Sequence, residues 1–206
     1  MQSPKLDPRK PPEHILEVFA DPTSVKEIVK GILHTIFFHR YFPCIRPTSL
    51  DVLNLTLPAI NDVELETLID ARVNALIRQH LSSSANGPNG GVRGRIAVQF
   101  FEKRRRKVGG MGVAAGAIAG MNEEEVCWEV WTVNVTIATP RTESDRTKVR
   151  KAMEKMLQKA VFKILAVVNK EKDHIPPITT SDANPFPYQI VLNPKLDSWG
   201  NKFGLY

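Results

Sequence analysis

Residue types capable of chemistry are thinly spread in this chain of 206 residues. Histidines stand at 14, 34, 39, 80 and 174 and never as HxxxH or HxH, and Cys44 and Cys127 form no CxxC half-site. His34 and His39 fall on one helical segment five residues apart, roughly 140° around its axis, so they do not grip one ion together. These spacings point away from a metal centre. Gly110 and Gly112, in GGMGVAAGAIAG, look superficially like a phosphate cradle. Such a loop follows a strand and opens a helix, whereas here a strand comes next, and no lysine followed by Ser or Thr lies inside it. The GxSxG nucleophile signature is absent, and Glu123 to Glu125 read as solvated charge at the foot of a hairpin. No catalytic residue, metal ligand or cofactor is expected.

One charged feature stands out. Lys103, Arg104, Arg105, Arg106 and Lys107 form a basic run, with Arg93 and Arg95 nearby, in a chain of net charge +6 and pI about 9.4. An acidic protein or an anionic lipid surface fits such a run. Nucleic acid is not expected, because no aromatic ladder is interleaved with the cations and RNP-type and zinc-finger patterns are missing. Membrane contact is expected to be peripheral at most. No run reaches the roughly 18 uncharged apolar residues that suggest a span, and MQSPKLDPRKPPEH lacks the apolar core of a signal peptide. With two cysteines, an intracellular, cytosolic setting is the expectation.

At 42% apolar and 24% charged residues the composition is that of an ordinary globular protein. Residues 1 to 13 carry four prolines and read as a flexible tail, leaving 14 to 206 as one domain. HILEVFA, His14 to Ala20, reads as an interior strand covered on both faces. Ser24 with Glu27 forms a capping box for a first helix to about Tyr41, whose apolar positions recur every three or four residues from Val25 to Phe37. Leu50 to Leu57 alternates as a second strand that Pro58 ends. Asn61 and Glu64 open a second helix, and SSSANGPNGG closes it as a flexible loop. RIAVQFFEKR and VCWEVWTVNVTIAT form a long antiparallel hairpin, with a Gly/Ala-rich tip at about 108–122. Period-two alternation sends Trp128 and Trp131 to opposite faces. Thr142 with Asp145 starts a third helix reaching about Lys170, with Phe162 in its inward stripe, and Phe186 to Leu192 is a closing strand. The order is β α β α β β α β: an α+β fold, mostly antiparallel, backed by three helices.

Several segments, ILEVF, SVKEIVKGILHTIFFHR, FFEKRRRK, CWEVWTVNV and AVVNKEKDHIPPIT, closely resemble the autophagy-related protein 101 family over roughly residues 14 to 192. That resemblance implies a single HORMA domain and a non-catalytic scaffold subunit of the autophagy-initiation kinase complex. It further implies a heterodimer with the HORMA domain of autophagy-related protein 13, at the preautophagosomal structure in the cytoplasm. The family carries a Trp-Phe finger on the loop between Lys107 and Val126. Here that loop has neither residue, as in a fungal-type member without the finger, and offers Val108, Met111, Val113, Ile118 and Met121 for recruitment or membrane contact instead. His39, Arg40, Tyr41 and Phe42 bring more aromatic bulk to the end of the first helix than a core stripe needs, and are the candidates for the partner-binding surface.

Overall fold

The computed structural model describes residues 10–42, 45–81, 92–105, 123–178 and 185–194. Strand β1 (Glu13–Ala20) leads to helix α1 (Val25–Arg40), then β2 (Pro47–Val52), β3 (Leu55–Ile60) and α2 (Val63–Leu76), which a π-helical turn extends over Ile77–Leu81. Strands β4 (Val92–Arg105) and β5 (Glu123–Ile137), helix α3 (Glu143–Lys170) and strand β6 (Tyr188–Leu192) complete it. The main sheet runs β1-β5-β4-β6, with β1 parallel to β5 and β4 antiparallel to both neighbours; β2 and β3 form a separate hairpin. The α+β class holds.

One sheet face shares a continuous core with all three helices and the small hairpin, including Leu16, Val18, Val133 and Val135 from strands and Ile32, Phe37, Ile69, Leu157 and Ile164 from helices. On the opposite face, Ala97, Cys127 and Val130 form a smaller cluster flanked by Phe101 and Val191. Gly31 is where the hairpin reaches α1: a Cβ there would stand 2.9 Å from both Leu57 Cδ1 and Val52 Cγ2, so only glycine admits this approach without a shift.

Several local expectations change. The LDVLNLTL segment is a hairpin, not one strand, because Leu53 turns at φ 55° and Val52 pairs with Leu55. Pro58 sits inside β3 opposite Ser49, tolerated because each strand of a two-stranded ribbon has a free edge. Strand β1 is an edge strand with alternating exposure, so one face only is buried. The α1 start is stabilised by Asp21, whose Oδ1 accepts from the Thr23 and Ser24 amides at 3.0 and 2.7 Å, and Ser24 makes no side-chain cap. Helix α2 is capped by Asp62, one residue beyond Asn61, through a 2.9 Å bond from the Leu65 amide. Thr142 caps α3 as expected, accepting from the Asp145 amide at 3.1 Å. Phe162 faces outward and is 60% exposed, since the buried stripe of α3 runs through Met153, Leu157, Ala160, Ile164 and Val168.

Candidate functional site

A break in the β4–β5 ladder builds the most distinctive site. Phe100 pairs with Glu129 and Phe101 with Cys127, leaving Trp128 as the extra residue of a β-bulge. The bulge cancels the alternation, so Trp128 and Trp131 both enter the main core, contrary to the opposite-face expectation. The Glu129 carboxylate lies there too, two residues from Trp131 and fully buried. Arg40, at the last residue of α1 and 2% exposed, donates from Nε to Glu129 Oε2 at 2.7 Å and from Nη2 to Oε1 at 3.0 Å. Trp131 Nε1 donates to Oε2 at 2.9 Å. His174, in the loop after α3, brings Nε2 to 3.1 Å from Oε1, and His14 of β1 brings its own Nε2 to 3.4 Å. Arg40 Nη2 also reaches the Glu171 carbonyl at 3.3 Å.

Burial alone raises a carboxylate pKa; here the His14 and His174 rings beside it and the Arg40 guanidinium outweigh it and hold Glu129 well below the usual carboxylate range. A buried ion pair of this kind penalises every arrangement that leaves one partner unpaired. The node therefore ties together β1, the end of α1, β5 and the segment leaving α3.

The sequence candidates separate into three groups. Arg40 is spent inside the node, which removes it from any partner-facing surface. Tyr41 donates its hydroxyl to Asp62 Oδ2 at 3.1 Å, and burial followed by that contact pushes its pKa up to about 12. Phe42 packs edge-on against Phe186 and half-buried His39 against Phe38, its pKa lowered first by burial and then by Arg40. These residues join the end of α1 to the start of α2 and the approach to β6. In the basic run, Lys103, Arg104 and Arg105 stand in register with Glu125, Glu124 and Glu123 across the hairpin. The described part of the basic patch thus stands opposite glutamates in the partner strand. Arg106, Lys107, Val108, Met111, Val113, Ile118 and Met121 lie outside the described residues, as does residues 1–9 of the tail.

Glu129 was not singled out from sequence, His14 and His174 entered only as histidines without metal-ligand spacing, and Trp131 only for the face it takes. The usable signal was a lone glutamate between two tryptophans in the otherwise apolar CWEVWTV. A buried carboxylate needs a cation, and the arginine ending the first long helix supplies it. Cys127 is no nucleophile: burial pushes its thiol up to about 12. A shallow depression on the second sheet face, lined by Glu17, Arg93, Arg95 and Asn134, has its polar groups bonded to each other, Arg95 Nε to Asn134 at 2.9 Å and Asn134 Nδ2 to Glu17 at 2.8 Å. No described helix is long and apolar enough to cross a membrane.

Fold and node together define a small α+β packing module, in which the most heavily bonded charged residues lock elements to one another. The sequence profile of the family described as Autophagy-related protein 101 matches residues 17–182. Relatives of that name are 25% identical in Arabidopsis thaliana, covering 88% of this chain and 86% of the relative, and 24% identical in Schizosaccharomyces pombe, covering 85% and 83%. The Homo sapiens protein is 20% identical, with 85% of each chain covered. The chain belongs to the autophagy-related protein 101 family, and its role falls within autophagy.

Proposed function

We propose that this chain is a non-catalytic scaffold subunit of the autophagy-initiation kinase complex, adopting a HORMA fold and pairing with the HORMA domain of autophagy-related protein 13. The observation that carries the reading is the family match, which runs from β1 through α3 and so covers the elements that build the core. Phe162 on α3 and Ile15 on the edge strand β1 are 60% and 40% exposed, and the Lys163 ammonium donates to the Ile15 carbonyl at 2.6 Å.

The competing reading, a basic module in which Arg93 to Lys107 would hold anionic lipid or RNA, depends most on the run from Lys103 to Lys107. Its described members face glutamates in register, which weakens their field. The test is co-purification with the autophagy-related protein 13 HORMA domain at low and high salt. A complex that survives high salt is expected, because apolar burial is insensitive to screening. No complex at either salt overturns the reading, and a complex lost steeply with salt favours the basic alternative.

A further inference from the structure

Sequence spacing gave no metal motif, yet the fold gathers three donors scattered from residue 14 to residue 174. His14 Nε2, His174 Nε2 and a Glu129 carboxylate oxygen all lie within 4.8 Å of one another. Two imidazoles and a carboxylate are the donor set of Zn²⁺-class ions, in sites that keep a further position for another ligand. Ligands about 2.0–2.1 Å from a tetrahedral zinc stand roughly 3.3 Å apart. Glu129 Oε1 is 3.4 Å from His14 Nε2 and 3.1 Å from His174 Nε2.

A second observation points the same way. The His14 side chain is 8% exposed, and its Nε2, 3.4 Å from Glu129 Oε1, completes no hydrogen bond among the described residues. A buried ring nitrogen without a partner is costly, and coordination would satisfy it. The obvious objection is Arg40, whose charge already opposes that of Glu129. Arg40 Nε and Trp131 Nε1 hold Oε2, so an ion competes only at Oε1, with Arg40 Nη2 and the two imidazoles. Glu171 supplies further negative charge: its Oε2 is 3.9 Å from His14 Nε2 and its side chain is 45% exposed, free to swing in as a fourth ligand.

The geometry points to a transition-metal site, of the Zn²⁺ class, formed by His14, His174 and Glu129 with Glu171 as the fourth donor. An ion there would fasten the loop after α3 to β1 and β5, adding its binding free energy to folding. The site does not depend on which partner the chain pairs with.

The test uses the full chain, stripped with chelator and desalted, with Zn²⁺ as the probe. Calorimetric titration is expected to give one ion per chain, and His174→Ala to weaken that affinity at least about a hundredfold, the upper end of what loss of a supporting residue around a metal ligand costs. Imidazole nitrogen NMR of the unmodified chain keeps the outcome decidable should the variant fold poorly. The His14 and His174 Nε2 resonances are expected to shift on addition of Zn²⁺ while His34 stays in place. Absence of a one-to-one site, unchanged affinity in folded His174→Ala, or shifts confined to other histidines overturns the proposal.

Discussion

At the Arg105–Glu123 end of the β4–β5 pairing, Lys103, Arg104 and Arg105 stand in register with Glu125, Glu124 and Glu123; a short way further along β5, Glu129 meets Arg40. Both are pairings of basic groups with glutamates, and they belong to different energetic regimes. Lys103, Arg104, Glu124 and Glu125 are exposed, so water and salt screen the attraction and ordering the long side chains cancels much of it. Glu129 and Arg40 are removed from water, where each charge depends on its partner to offset its desolvation. The exposed ladder sets register and blunts an extended ribbon, whereas the buried pair fixes which elements meet. Charge count in the sequence drew attention to the first, while the structure gives the greater weight to the second.

Substitutions test that contrast. The largest effect is expected from Arg40→Met, which strands a buried carboxylate: a loss of about 3–5 kcal/mol in denaturant unfolding is expected. A loss below about 1 kcal/mol would mean that the two regions are equivalent after all. Acid is the next probe. Because the folded pKa of Glu129 is depressed, its contribution is fully present above the ordinary carboxylate value of 4.5 and is lost as pH falls below it toward the folded pKa. Thermal unfolding followed from about pH 6 down to about pH 3 should therefore decline more steeply for the native chain than for Glu129→Gln. Parallel declines would contradict the assignment. The smallest effect belongs to the ladder. Arg104→Gln, which removes the pairing with Glu102 and the cross-strand charge opposite Glu124, should cost less than about 1 kcal/mol and less still in high salt.

The bulge explains why one region was legible and the other was not. KRRRK and EEE advertise themselves by composition, and antiparallel pairing across a hairpin brings them together with no further information. Glu129 gives a local signal of the wrong kind: strict alternation over CWEVWTV places Glu129 with Trp131 but sends Trp128 away from it. A single extra residue opposite Phe100 and Phe101 overrides that pattern, and the Trp128 ring packs against Phe100, His174 and Phe186. The end of α1 shows the same dependence on distant segments. Its aromatic bulk was read correctly from the sequence, yet Tyr41 and Phe42 are engaged with Asp62 and Phe186, from segments far along the chain.

Local chemistry alone determined the element types, the Thr142 cap and the three long helical stripes, because capping and periodicity are decided within a few residues. It also determined the family, through segments that coincide with β1, α1, the two hairpin strands and the end of α3. Only the tertiary structure made β1 an edge strand, split LDVLNLTL into a hairpin and turned Phe162 outward. Only it, too, drew His14, Arg40, Glu129 and His174 onto one carboxylate. Those outcomes depend on which distant surfaces exclude water together, and no window of sequence contains both surfaces.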